Sequence, residues 1–147
     1  KRADLSLFFY FALRAAIISS GGLFSTLFSI LLDSVINALV DDQERVGRKH
    51  MKEAISKVRM QFRSKLSPSP YDVLPATPEE KIACLKTVYE KGARGYFPDA
   101  LAHRLIDLQL ILTHNGSGWY SLHPLAVDTL MARDEPISGG GSLPEYR

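Results

Sequence analysis

Cysteine and tryptophan are almost missing from this chain: each occurs once in 147 residues. A single cysteine excludes an internal disulfide, the usual staple of small secreted domains, and makes a reducing compartment, the cytoplasm by default, the expected location. Charge of one sign is scarce as well. With 18 basic and 16 acidic side chains the formal net charge is only +2, too small to imply a general polyanion partner. No G-x-x-x-x-G-K-[ST] stretch occurs, so the chain does not by itself bind and hydrolyse ATP in the P-loop manner. The four histidines have neither short ligand spacing nor a cysteine partner, which argues against a zinc site. Cys84 could pair with His103, His114 or His123 as nucleophile and base only by leaving its setting in "KIACLKTVY", where it stands beside Ile82 and Leu85 like a structural thiol. No catalytic residue is expected, and no resident cofactor or metal.

The longest apolar stretch, "SSGGLFSTLFSILLDSVINALV" at 19–40, raises the question of a membrane span. From Leu23 to Val40 it nearly reaches the ~20 residues a spanning helix needs. Its polar residues Thr26, Ser29, Asp33, Asn37 and Asp41 recur every three or four positions, however, opposite Leu23, Leu27, Ile30, Leu31, Ile36 and Leu39. That spacing predicts an amphipathic helix in water. Asp33 at mid-span would cost roughly 2.5 to 3.5 kcal/mol on insertion scales, so no membrane partner is expected. A preceding helix places Ser6, Tyr10 and Arg14 on one edge and Leu5, Phe8, Phe9, Leu13, Ala16 and Ile17 on the rest. Between the two, Ser19-Ser20-Gly21-Gly22 supplies a left-handed stop and free backbone amides.

Charge is unevenly distributed. Residues 44–65 hold eight basic and two acidic side chains, whereas 1–43 hold three and four. From Arg48 to about Leu66, apolar Met51, Ala54, Ile55, Val58 and Phe62 form one stripe of a third helix. Arg48, Lys49, Lys52, Lys57, Arg59 and Arg63 stand opposite, with Lys65, as a solvated face or as a set of contacts to DNA phosphates. No aromatic residues interleave with them to add base stacking.

"SPSPYDVLPATP" at 67–78 has four prolines and reads as a semi-rigid linker. Thr77, Pro78 and Glu80 form a helix-start signature, and the helix runs to about Lys91 with Ile82, Leu85, Val88 and Tyr89 inward. Another helix is expected from Pro98 or Asp99 to about Leu110, with Leu101, Leu105 and Leu108 inward. In "LILTHNGSGWYSLH", β-formers flank Asn115-Gly116-Ser117-Gly118, a hairpin signal, and Trp119 reads as a core aromatic. His123 is expected to cap or pack at a last helix opened by Pro124. The expected architecture is mainly α: a three-helix lid-like bundle over 1–66, the linker, and a winged-helix-like α+β unit over 79–132. A disordered tail follows over 133–147.

A three-helix bundle with a double-glycine hinge, followed by a winged-helix unit, resembles the C-terminal region of AAA+ and STAND-type P-loop ATPases. The likeness rests on "SSGGLFSTLFSILLDSVINAL", "RVGRKHMKEAISKVRMQF" and "WYSLHPLAVDTL". It implies a non-catalytic lid that rotates with nucleotide state and passes the motion to a partner or to further copies. It also implies an ATPase core, with its ATP and magnesium, lying before Lys1, and places Gly21 and Gly22 near the nucleotide. The arginine that such lids often carry just past the double glycine is replaced here by Leu23, Phe24, Ser25 and Thr26. In the winged-helix unit the recognition-helix candidate carries Asp99, His103, Arg104 and Asp107, which favours protein contact over DNA there.

Overall fold

Phe8 forms an isolated parallel bridge with Val46, so the chain enters α1 (Tyr10–Ser19) already tied to the approach of the third helix. The computed structural model describes residues 8–68, 76–91, 98–114 and 118–134. Among these, α1 is followed by α2 (Phe24–Val40), α3 (Arg48–Ser64), α4 (Pro78–Lys91) and α5 (Ala100–Asp107). An antiparallel hairpin, β1 (Ile111–Thr113) and β2 (Tyr120–Leu122), and α6 (Pro124–Asp134) complete the described chain. The mainly α architecture with one small hairpin is the expected one.

The first two helices depart from expectation in which face they bury. Phe8 and Phe9 precede α1 rather than belonging to it, and residues 1–7, with Leu5 and Ser6, lie outside the described part. α1 buries only Ala12 and Ala16, leaving Phe9 and Ile17 exposed. In α2 the buried row is Thr26, Ile30, Ser34 and Ala38; of the expected inner face Ile30 is buried and Leu27 and Leu31 are half-buried against the core, while Ile36 and Leu39 are exposed and Thr26 of the expected polar stripe turns in. Period alone cannot say which stripe turns inward when both contain apolar residues. Here α1 turns in Ala12 and Ala16, and α2 turns in Ile30 with the smaller Thr26, Ser34 and Ala38. Ser34 is satisfied locally by donating its hydroxyl to the Leu31 carbonyl at 2.8 Å.

α3 follows the pattern: Met51, Ala54, Val58 and Phe62 are buried and Ile55 is half-buried. α2 ends on Asp42 in the left-handed region (φ 53), with Asp42 N–H donating to Leu39 O and Gln43 N–H to Ala38 O. These are the two bonds of a Schellman stop.

α4 starts as the sequence indicates. The Thr77 hydroxyl accepts from Glu80 N–H at 3.2 Å, and the Glu80 carboxylate accepts from Thr77 N–H at 2.8 Å. Its inner face differs in two residues: Tyr89 is exposed, and Lys81, only 1% exposed, turns in to donate to the Ser67 carbonyl at 3.0 Å. A lysine stem is apolar enough to pack when its ammonium finds acceptors. Residues 69–75 of the expected linker lie outside the described part.

Asp99 caps α5 by accepting from Ala102 N–H at 2.7 Å. The helix ends three residues short of Leu110, because Gln109 adopts φ 61 and makes a second Schellman stop with Leu110. In the hairpin Ile111 faces Leu122, Leu112 faces Ser121 and Thr113 faces Tyr120. Asn115, Gly116 and Ser117 of the expected turn lie outside the described residues. Trp119 is exposed rather than a core aromatic, since the alternation of β2 sends Tyr120 and Leu122 inward. Buried residues of the first three helices and of α4 to α6 join in one apolar cluster, with α6 packing against α3 and α1.

Candidate functional site

The hinge after α1 is held by a residue 103 positions away. Ser20 ends α1, its hydroxyl donating to the Ile17 carbonyl at 2.7 Å. Gly21 follows in the left-handed region (φ 60) and Gly22 at φ 81. Against Gly21 lie His123 and Pro124, so closely that a Cβ there would stand 2.7 Å from Pro124 Cδ and 3.1 Å from His123 Cδ2. Nothing wider than a hydrogen fits, and the backbone angle independently favours glycine. At Gly22 a Cβ would meet open space.

Neither glycine amide is free, contrary to the expectation that they could lie open to a nucleotide. Gly21 N–H donates to Ile18 O and Gly22 N–H to Ser20 Oγ, each at 3.3 Å. The helix end and its serine have taken the donors that a phosphate would need.

His123 is fully buried, and its two ring nitrogens have different partners. Leu125 N–H donates to Nδ1 at 3.2 Å, which leaves Nε2 to carry the proton and donate to the Ser20 carbonyl at 3.0 Å. One side chain thus caps α6 and binds the hinge. Its ring lies 4.2 Å from that of Phe62, centroid to centroid, on α3. Lys65 Nζ stands 4.0 Å from the Phe62 ring centroid and donates to the Leu108 carbonyl at 2.8 Å. Burial first, and Lys65 after it, push the His123 pKa down to about 4, against an opposing hydrogen bond to Ser20. Burial also holds Lys65 below the usual lysine range. The imidazole is therefore a neutral, fixed strut at neutral pH rather than a base offered to a substrate. The cap was legible in "SLHP"; the reach to Ser20 was not.

The six basic residues of α3 do not form one available face. At roughly 100° per residue, Arg48, Lys52, Arg59 and Arg63 share a stripe while Lys57 lies on the far side. Lys57 pairs with Asp33 at 2.7 Å, Lys49 with Asp41 at 2.8 Å and Arg59 with Asp128 at 2.7 Å. The Arg48 guanidinium rests 4.8 Å from the Phe11 ring centroid. Lys52 and Arg63 alone of the six make no such contact among the described residues. Along α3 a furrow of about 570 Å³ is lined by Lys49, Lys52 and Lys57 but also by Glu53. In this furrow Lys49 and Lys57 are already paired with carboxylates, whereas Lys52 is not.

Asp41 organises the start of α3. It accepts from Lys49 Nζ and from His50 Nε2 at 3.2 Å, and His50 Nδ1 accepts from Gly47 N–H at 3.1 Å. The hydrogen bond from Lys49 leads the interactions that hold the Asp41 carboxyl below its ordinary range. This chain of contacts ties the C-terminus of α2 to the start of α3.

Cys84 is half-buried against the core and far in sequence from the hinge histidine. Among the described residues no three His, Cys, Asp or Glu side chains gather as metal ligands. Nor is any helix there long and apolar enough to cross a membrane. No family model, curated protein or solved structure matches the chain.

Proposed function

We propose that this chain is a non-catalytic regulatory and interaction module of an AAA+ or STAND-type ATPase, coupling nucleotide state to contacts with a partner or with further copies. The observation that carries the reading is the clamp on the hinge: Ser20 and Gly21 are gripped by His123 and Pro124 of the second unit. A lid that turned about this hinge would move the winged-helix-like unit with it, because α6 is bonded to the hinge carbonyl and packed on α3. Binding energy at a nucleotide could then be felt at α6 without any catalytic group in the chain. ATP and magnesium would belong to a core outside these residues, and the contact made by the lid would be one of packing rather than of phosphate chemistry.

Reading the coding sequence that precedes Lys1 tests this first. A phosphate-loop motif followed by strand and helix alternation supports the proposal, and a preceding segment without one sinks it. In the full-length protein, amide exchange at Gly21 and Gly22 should then differ between ATP- and ADP-loaded states. Identical exchange would remove the coupling.

A further inference from the structure

α2 has two apolar rows and buries only one of them. Thr26, Ile30, Ser34 and Ala38 face the body of the protein, flanked by half-buried Leu27, Leu31 and Val35, and a second apolar row, Phe24, Phe28, Leu32, Ile36, Leu39 and Val40, faces outward, with Phe24 and Val40 each 79% exposed. Phe24 and Phe28 stack on each other, 6.3 Å between centroids, as a continuous ridge. At 1.5 Å per residue the ridge runs for roughly 24 Å. With side chains of this size presenting on the order of 150 to 200 Å² each when free, the six leave roughly 600 Å² of apolar surface in water. That exceeds what scattered surface residues account for.

We propose that this ridge is the interface between two copies of the chain, α2 packing antiparallel on α2 of the second copy about a two-fold axis through Leu32. Three features select a second copy. The first is charge: between Phe24 and Val40 the one ionised side chain is Asp33, which is turned toward Lys57 of α3, so two ridges meet without like-charge repulsion. The second is shape. Centring the axis on Leu32 sets Phe28 opposite Ile36 and Phe24 opposite Val40, so each aromatic ring meets a smaller aliphatic side chain, and every contact is made twice, as isologous pairing requires. The third is the helix ends. α2 begins at Leu23 without a side-chain cap and ends at Asp41 and Asp42. Asp41 is already paired with Lys49, so the charge that counts is that of Asp42: antiparallel pairing brings it beside the amino end of the other helix, where negative charge is favoured, whereas parallel pairing would bring the two copies' Asp42 together. Two ridges meeting fully would hide at most roughly 1,200 Å², the lower bound for a specific stable interface, at the crossing of about −50° that rows of residues spaced four apart adopt, with the contact centred on Leu32, Phe28 and Ile36. The inference does not rest on the ATPase reading.

The test uses the 147-residue chain with Cys84→Ser as background. Light scattering should give twice 16.4 kDa at micromolar concentrations, and Leu32→Arg, a change at an exposed position, should return the monomer mass with unchanged helical circular dichroism. Under mild oxidation Leu32→Cys should form a covalent dimer with itself. Phe28→Cys and Ile36→Cys should cross-link to each other at least tenfold more than either does to itself. A monomer at every concentration up to about 500 µM overturns the proposal, as does cross-linking that is equal at all three positions. A dimer that survives Leu32→Arg overturns it too. None of these outcomes alters the test of the upstream coding sequence, so the two readings fail separately.

Discussion

The Nε2 proton of His123 is donated to the carbonyl oxygen of Ser20 across 3.0 Å, joining the residue just before α6 to the residue just after α1. The same ring caps α6 and stacks near Phe62, so hinge, third helix and last helix meet at one neutral imidazole. Losing it should loosen more of the molecule than a single buried side chain usually does.

Acid should expose this strut. Burial holds the folded pKa of His123 at about 4, below the ordinary 6.5, so between those values the unfolded chain binds a proton that the folded chain refuses. Its contribution is fully present above pH 6.5 and is lost as pH falls through the window, by about 3 kcal/mol in all. Urea midpoints measured from pH 7.5 to 4 should show it. The difference between wild type and His123→Gln should shrink steadily toward pH 4, and a constant difference would contradict the assignment.

The two hinge glycines should differ sharply. Gly21→Ala forces a methyl to within 2.7 Å of Pro124 Cδ at a left-handed backbone, and should cost about 2 to 4 kcal/mol. Gly22→Ala meets only the backbone term and should cost about 1 kcal/mol. Denaturant titration of the two variants ranks them directly.

Thr77→Ala removes one of the two reciprocal bonds at the start of α4 and leaves Glu80 N–H without its side-chain acceptor. A loss of about 1 kcal/mol is expected in the same assay. Thr77→Ser should recover most of it, because the hydroxyl is what accepts.

Gln109 holds a left-handed conformation (φ 61) that glycine adopts without steric penalty. Gln109→Gly should raise stability by about 0.5 to 1 kcal/mol, since relief of the strain exceeds the added entropy of the unfolded chain. A fall in the thermal midpoint would show that the Gln109 side chain contributes packing beyond its backbone role.

Local chemistry was legible in the sequence wherever the answer lay within a few residues. The Thr77–Glu80 box, the start of α5 near Asp99, the end of α1 at the double glycine and the β1–β2 hairpin each depend on neighbours in the chain, and each lies close to where the sequence places it. The inner stripe of α3 was legible too, because its outer stripe is charged and admits one inward choice. Tertiary structure decided the rest. α1 and α2 carry more than one apolar row, and only the packing partner could select Ala12 and Ala16 of α1 and the row of Thr26, Ile30, Ser34 and Ala38 of α2 for burial. Lys81 went inward and Trp119 outward for the same kind of reason: acceptors and alternation arrive from elements that the local sequence does not contain. Three of the six basic residues of α3 are paired with Asp33, Asp41 and Asp128, which the fold brings from α2 and α6. His123 meets Ser20 only after 103 residues have folded between them, and no period in the sequence encodes that distance.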